Sequence, residues 1–152
     1  MDDDSSLALG KTERQFNTII GGKKVESPSI FTKIIRGEIP SHKIYEDEGT
    51  FAFLDIHPQN LLAHVLVVSK TQIDRVYELP DEDYAALWAT VKKLAKHMEA
   101  ILDERIIYVV LGNQVPHAHV HLMPFDPEWN PKRIYVTSKE DLEKIAEKLR
   151  LN

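Results

Sequence analysis

Hydrophobic positions follow a helical period in three stretches of the chain. A short helix is predicted over residues 30–35, and Gly37 and Pro40 then end it. Asp81 is placed to cap a long helix that runs through Leu102. A terminal helix is predicted over residues 138–151, where Ser138 opens a capping box. The long helix carries one apolar stripe, formed by Tyr84, Leu87, Trp88, Val91, Leu94, Ala95 and Met98.

Short apolar runs between these helices predict five strands. "KIYED" and "TFAFLDI" form a hairpin around an acidic turn, and "HVLVVSK" follows a loop. After the long helix come "RIIYVVL" and "VPHAHVHLMP", joined by the tight segment "GNQ". Strands that connect through short turns, with one long helix inserted, indicate an α+β fold with a mainly antiparallel sheet. We assign this domain to residues 29–152.

Residues 1–28 are polar, contain a Gly-Gly pair and show no sustained periodicity. They are predicted to be an N-terminal extension, either flexible or folded against the domain or a partner. The segment "LALGKTERQFNTII" has enough apolar residues for a short ordered piece. Nothing in this extension suggests chemistry.

Composition narrows the class of protein. The 152 residues, 43% hydrophobic and 28% charged, suit one globular domain. A net charge of -5 without a basic block argues against nucleic-acid binding, and no apolar run is long enough to span a membrane. The absence of cysteine excludes disulfides, thiolate metal sites and cysteine nucleophiles. The N-terminus lacks the layout of a secretory signal, so a cytosolic location is expected.

Three histidines alternate in the last strand, at His117, His119 and His121. Because alternate residues of a strand point to one face, the three imidazoles share a face, and Ala118, Val120 and Leu122 face the core. Four interpretations compete: an exposed polar face, a metal site, a pH-sensing patch, and nucleophilic attack on phosphorus. Spacing alone leaves the metal site and the nucleophile close together.

Context favours the nucleophile through a family resemblance. "HAHVH" followed by two apolar residues resembles the signature of the histidine triad family of nucleotide hydrolases and transferases. "IFTKIIRGEIPSHKIYEDEGTFAFLDIHPQ" and "AHVLVVSK" resemble that family's upstream segments, in order and spacing. The resemblance covers about residues 30–124 and implies a homodimer that cleaves an α-phosphate bond of a purine nucleotide without a metal or cofactor.

The resemblance also implies a role for each site residue. His119 would attack the α-phosphorus to give a nucleotidyl-histidine, and His117 would orient the site. His121 and His64 would bracket the phosphate oxygens and assist the leaving group. The residues that resemble the nucleotide-binding positions are Phe31, Ile34, Phe53 and Ile56 around the base, Asp55 at the ribose, and Asn113, Gln114 and Val115 near the phosphate. Each apolar residue of this set also fits an ordinary core position.

Several positions depart from the family pattern. Ser29 and Thr32 stand where many members carry a Cys-x-x-Cys pair, and Gln72 stands near the position of a zinc-binding histidine. A structural zinc is therefore not expected. The usual Gly-Gln-Ser/Thr segment is Gly112-Asn113-Gln114, and the usual Pro-Gly-His is Leu62-Ala63-His64.

Four functional hypotheses remain open from the sequence, and a metal-dependent hydrolase is the least favoured of them. Hydrolysis of adenosine 5′-phosphoramidates is favoured, and hydrolysis of dinucleoside polyphosphates is second. The altered Gly112-Asn113-Gln114 segment leaves room for a weakly catalytic purine nucleotide-binding protein. Trp129, in the loop after the triad, is predicted to contact a leaving group.

Overall fold

The chain folds around an antiparallel sheet of five strands. The computed structural model describes residues 18–20, 23–25 and 27–152. The strands of the main sheet are β3 (Lys43–Glu46), β4 (Thr50–Leu54), β5 (Val65–Ser69), β6 (Ile106–Val109) and β7 (His119–Pro124). Their order in the sheet is β3-β4-β5-β7-β6, so β7 lies between β5 and the edge strand β6.

Three helices pack on this sheet: α1 (Ile30–Ile35), α2 (Asp81–Leu102) and α3 (Lys139–Leu149). Ser29 caps α1 and Ser138 caps α3, because each side chain accepts from the backbone N–H three residues later. The order of these helices and strands agrees with the predicted α+β fold, in which a long helix is inserted between strands and a helix ends the domain. The predicted cap of the long helix is wrong: Pro80 occupies the cap position, and Asp81 is the first helical residue.

The two faces of the sheet bury different groups of side chains. One face packs under α2 and α3 in a large core that includes Val67, Val120, Leu122, Leu87, Leu94 and Ala146. The other face carries a smaller cluster, formed by Phe31, Ile34, Phe51, Phe53, Leu66 and Val68. In the pairing of β5 with β7, Leu66 faces His121 and Val68 faces His119. The histidines therefore share the face of the smaller cluster, and Val120 and Leu122 enter the core, as predicted.

The last strand is shorter than the sequence pattern suggests. β7 begins at His119, and His117 lies in the connection of residues 110–118. The predicted tight joint at "GNQ" is thus wrong. Pro116 has no N–H to give to a neighbouring strand, which explains why the pairing of β7 starts only after it.

Part of the predicted extension is described. Within residues 1–28, β1 (Thr18–Ile20) and β2 (Lys23–Val25) form an antiparallel pair. Most other residues of that extension lie outside the described part of the chain, so its flexibility stays a prediction. No helix among the residues that the structure describes has the length and apolar character needed to cross a membrane.

Candidate active site

Four histidines from two neighbouring strands meet at one end of the sheet. His119 and His121 lie on β7, His117 lies two residues before that strand, and His64 directly precedes β5. All four are buried, with at most 2% of each residue exposed. The rings of His119 and His121 lie 5.0 Å apart, and those of His64 and His121 lie 5.1 Å apart. Burial of so many imidazoles in one place is costly unless their hydrogen bonds are satisfied.

The hydrogen bond of His119 fixes its tautomer. Its Nδ1 lies 2.6 Å from the backbone oxygen of His117. A carbonyl oxygen only accepts, so Nδ1 carries the proton and donates. Burial lowers the pKa of His119 below its ordinary value, and the bond to His117 opposes this in part. The neutral ring therefore keeps a lone pair on Nε2.

A second chain of hydrogen bonds fixes His64 and His121. The backbone N–H of Gln59 donates to His64 Nδ1 at 2.9 Å. His64 must then carry its proton on Nε2, which lies 2.9 Å from His121 Nδ1 and donates to it. The remaining nitrogen of His121, Nε2, consequently carries a proton. It is buried and has no hydrogen-bond partner among the residues that the structure describes.

The same burial keeps these rings neutral. Burial lowers the pKa of His64 and of His117 to about 4, and the neighbouring His119 adds to the effect. Burial, followed by His119 and His64, lowers the pKa of His121 to about 2. At neutral pH the site thus presents one imidazole lone pair, on His119, and one unpaired N–H donor, on His121. A nucleophile beside an oxyanion donor is the arrangement that acyl or phosphoryl transfer requires.

A cavity of about 400 Å³ opens onto His119 and His121. Most of its lining is apolar, as in sites that hold a planar base. The ring of Phe31 lies edge-on to the ring of His119, with their centroids 5.0 Å apart, and edge-on to the ring of Phe53, with their centroids 5.5 Å apart. The predicted binding residues that line this cavity are Phe31, Ile34, Phe53, Asp55, Ile56, Gln114 and Val115.

Asp55 is the carboxylate of this cavity. One of its oxygens accepts from the N–H of His57 at 2.8 Å, and the other lies 3.7 Å from His64 Nε2. Burial raises the pKa of Asp55 to about 6, although the bond from His57 opposes this. At neutral pH the group is ionised and has acceptor capacity left for a ligand.

Asp55, His64 and His121 also lie close enough together to hold a metal ion, since their potential ligand atoms are within 4.8 Å of one another. The positions of the ring protons on His64 and His121 argue against a metal at this place. A metal on His64 Nε2 would move the ring proton to Nδ1, where it would face the N–H of Gln59 that now donates there. The donor set therefore fits a proton network better than a cation.

The positions that depart from the family's zinc pattern lie together around His117. Ser29 Oγ lies 2.6 Å and Thr32 Oγ1 lies 3.4 Å from His117 Nδ1. Gln72 Oε1 lies 2.6 Å from Thr32 Oγ1. Sequence reasoning identified these residues only as missing ligands. Hydroxyl and amide groups bind zinc poorly, so they do not fit that metal.

Some predicted contacts lie elsewhere. Asn113 is exposed and is not among the residues that line the cavity. Trp129 donates from Nε1 to Gln59 Oε1 at 3.1 Å, so it supports the loop beside His64. Residues of the lining that the sequence did not indicate are Ile30, Ile39, Pro40, Ser41, Leu54, His57, Gln59, Leu66 and Ile134. Ile134 is brought there by the segment after β7, which is bonded to Pro58 through the N–H of Tyr135 at 2.9 Å.

Comparison with known families agrees with the histidine geometry. The family model for the HIT domain matches residues 36–128, well over half of the chain. The chain therefore belongs to the HIT, or histidine triad, family.

Several members of this family are similar to the chain over most of its domain. An adenosine 5′-monophosphoramidase of Candida albicans is 40% identical over 107 residues, which cover 62% of this chain and 68% of that protein. Protein hit of Bacillus subtilis is 40% identical over 101 residues, which cover 62% and 69%. A HIT-like protein of Bartonella henselae, involved in cell-cycle regulation, superposes with a TM-score of 0.73 at 30% identity, covering 84% of this chain and 98% of that one. A zinc-bound histidine triad family protein of Mycobacterium smegmatis gives 0.65 at 26% identity, covering 80% and 89%.

Proposed function

We propose that this protein is a nucleotide hydrolase or transferase that cleaves an α-phosphate bond of an adenosine nucleotide through His119. One observation carries the proposal: the lone pair on His119 Nε2 lies next to the unpaired Nε2–H donor of buried His121, at the edge of an apolar cavity. The adenosine 5′-monophosphoramidases among the relatives point to the same chemistry.

The reaction takes two displacements at phosphorus. In the first, His119 Nε2 forms a bond to the α-phosphorus, the bond to the leaving group breaks, and the leaving group departs with a proton taken from solvent. In the second, water attacks the phosphorus and gives up a proton to solvent, the bond to Nε2 breaks, and the nucleoside monophosphate is released. The ring is positively charged while it carries phosphorus, and its Nδ1–H stays bonded to the oxygen of His117. That bond stabilises the intermediate more than the neutral ring.

His121 and His64 serve the oxygens of the phosphate. His121 Nε2–H is an orphan donor inside the site, so a phosphate oxygen or a leaving nitrogen satisfies it. His64 holds that donor in place, because its own Nε2–H occupies the other nitrogen of His121. Phosphoryl transfer depends mostly on such positioning and charge stabilisation.

The nucleoside part of the substrate fits the rest of the cavity. Phe31, Ile34 and Phe53 would hold the base, and the Asp55 carboxylate would accept from the ribose hydroxyls. We favour phosphoramidates of adenosine as substrates, with dinucleoside polyphosphates second. A cytosolic location, and the absence of nucleic-acid and membrane partners, stay predictions from the sequence.

The test is hydrolysis of adenosine 5′-phosphoramidate in the presence of EDTA, beside a dinucleoside polyphosphate at equal concentration. We expect release of AMP from the phosphoramidate at the higher kcat/KM. If neither substrate is hydrolysed and AMP still binds in the cavity, the result would contradict the proposed hydrolase and favour a binding protein.

Asp55 makes the binding of a nucleoside depend on pH. Because its pKa in the folded protein is raised to about 6, the carboxyl group takes up a proton as the pH falls through that value. We expect the affinity for adenosine to fall several-fold between pH 7.5 and 5.5. Adenosine is the right probe, since it has no phosphate that titrates in this range.

The matched variant is Asp55→Asn, which keeps the shape and removes the titration. Its affinity should be about tenfold or more below that of the wild type at pH 7.5 and nearly flat with pH. Calorimetry at several pH values measures the affinity for adenosine and its dependence on pH in the wild type and in the variant. Wild-type affinity that does not change with pH would show that this carboxyl group does not hold the ligand.

We also propose that two copies of the chain pair through β6 and α2. β6 is an edge strand of the main sheet, so one row of its backbone groups has no partner strand within the described part of the chain. Beside it lies an aromatic patch of Tyr84, Trp88 and Tyr108, whose rings follow one another at 6.1 and 5.7 Å. Tyr108 is 55% exposed and Tyr84 is 43% exposed. Exposed aromatic groups next to an open edge are typical of a protein interface.

This interface predicts that Tyr108→Glu yields a monomer. The charge would enter an apolar contact without a partner, which is strongly unfavourable. Sedimentation at micromolar concentration should give a dimer for the wild type and a monomer for the variant. Glu replacing Tyr77, which is 78% exposed and outside the patch, is the control and should stay dimeric. A monomeric wild type would rule out the interface.

A further inference from the structure

We propose that Ser29 is a positioning residue for the nucleophile, acting through His117. Its hydroxyl donates to the ring of His117, and the backbone oxygen of His117 in turn holds His119 Nδ1–H. This proposal deepens the proposed function and rests on it, because it assigns the attack on phosphorus to His119.

The ring of His117 is saturated at both nitrogens. Its Nε2 lies 2.6 Å from the backbone oxygen of Ser69, which only accepts, so Nε2 carries the proton. Nδ1 of the neutral ring is then an acceptor. Since the residue is fully buried, this acceptor needs a donor from the protein.

Ser29 supplies that donor. Thr32 Oγ1 lies 3.4 Å from His117 Nδ1, and its single proton goes to Gln72 Oε1 at 2.6 Å. Ser29 Oγ lies at 2.6 Å from His117 Nδ1, a shorter contact than the 3.3 Å to Thr32 Oγ1. The Ser29 proton therefore belongs to His117. The oxygen of the same hydroxyl accepts from the N–H of Thr32 at 3.0 Å, which caps α1.

Gln72 holds Ser29 in this position from the other side. Its Oε1 accepts from the backbone N–H of Ser29 at 2.8 Å, and its Nε2 donates to the oxygen of Ser27 at 2.8 Å. In each of these hydrogen bonds between Ser29, Thr32, Gln72 and His117, the donor and the acceptor are thus determined. A network with all members satisfied is rigid.

The cluster joins two parts of the site that are distant in sequence. Ser29 starts α1, which carries Phe31 and Ile34 of the cavity, and it lies 88 residues from His117. Two hydrogen bonds then separate Ser29 from the nucleophile. A displacement of His117 moves the oxygen that orients His119, and attack on phosphorus is sensitive to small errors of geometry.

The experiment compares Ser29→Ala, Ser29→Thr and Ser138→Ala. Ser138 caps α3 with the same bond, Oγ accepting from Asp141 N–H at 3.0 Å, but lies outside the site. Both alanine variants lose one helix cap, so their melting temperatures should fall by a similar few degrees. We expect kcat to fall about tenfold or more in Ser29→Ala alone, with KM changed little. Ser29→Thr keeps the hydroxyl and should retain most of kcat.

A second readout does not depend on turnover. Nitrogen-15 NMR of the histidine side chains should show His117 with its proton on Nε2 and the Nδ1–H of His119 protected from solvent exchange. In Ser29→Ala, the exchange of that His119 proton should become faster, whereas Ser138→Ala should leave it unchanged.

The outcomes separate this proposal from the proposed function. If the wild type hydrolyses no nucleotide, the proposed function fails, and the exchange of the His119 proton still decides whether Ser29 positions it. Equal exchange in the wild type and Ser29→Ala would overturn the proposal. So would a rise in KM with kcat unchanged, since that result would limit Ser29 to holding the wall of the cavity.

Discussion

Replacement of His119 by Asn is expected to lower turnover of an adenosine conjugate by at least about 10³-fold while AMP still binds. An Asn side chain can donate to the oxygen of His117, as Nδ1 of His119 does now at 2.6 Å. It has no imidazole nitrogen with which to attack phosphorus. The loss therefore reports on the nucleophile more than on the shape of the site.

His121→Asn is the matched comparison for this variant. It removes the orphan donor Nε2–H and leaves the lone pair of His119 in place. We expect a smaller loss of turnover, about 10²- to 10³-fold, as for the removal of one oxyanion donor. Kinetics under saturating substrate measure both variants. Equal activity of His119→Asn and the wild type would remove His119 from the mechanism.

The second large effect is a steep loss of folding stability in mild acid. The unfolded chain protonates its histidines near their ordinary pKa of about 6.5. Burial holds the pKa of His64, His117, His119 and His121 in the folded protein below this value. Stability from these rings is fully present above pH 6.5 and is lost as the pH falls toward their folded values. Asp55 acts in the opposite sense, since its raised pKa lets the folded protein bind one proton.

At around pH 5.5 the unfolded chain binds at least about two protons more than the folded protein, since His64, His117 and His121 each account for about one and Asp55 offsets one. His119 adds to this difference in the same direction. Each proton changes the free energy of unfolding by about 1.4 kcal/mol per pH unit, so stability should fall by roughly 3 kcal/mol per unit or more. Domains of this size have about 5–15 kcal/mol in total, so a fall of this size over about two pH units removes a large part of their stability. Urea titrations between pH 7.5 and 5 measure the slope.

Two variants separate the proton linkage from ordinary destabilisation. His121→Asn removes one titrating group and should reduce the slope by about one proton. Ser138→Ala should lower stability by about 1 kcal/mol at every pH and leave the slope unchanged. A wild-type stability that is flat from pH 7.5 to 5 would contradict the lowered pKa values of the four rings.

Local patterns in the sequence were enough for most of the fold. Most of the stripe of α2 is buried where the period places it, with Leu87, Leu94 and Met98 fully enclosed, whereas Tyr84 at its start is 43% exposed. The alternation of His119 with Val120 correctly predicted which face of β7 enters the core. These features depend on residues a few positions apart, where periodicity is informative.

Features that depend on distant residues were not predictable in this way. Ser29 bonds to His117 from 88 positions away, and Gln72 bonds to Ser29 from 43 positions away. The sequence shows both residues only as departures from a family pattern. The bond of Trp129 to Gln59 spans 70 positions and was not predictable from the sequence, whereas the contact of Trp129 with a leaving group stays a prediction. Directional bonds between buried polar groups leave no periodic trace, because any segment that reaches the site can supply them.

The most direct measurement is capture of the nucleotidyl-histidine. Rapid quench of the wild type with adenosine 5′-phosphoramidate in alkaline denaturant, which preserves the acid-labile phosphorus–nitrogen bond, followed by peptide mass spectrometry without acid, should find one adenylyl group on the peptide that contains His119. The group should map to His119 itself, and His119→Asn should carry none. Single-turnover hydrolysis with no adduct at the earliest times, or an adduct on another residue, would contradict attack by His119.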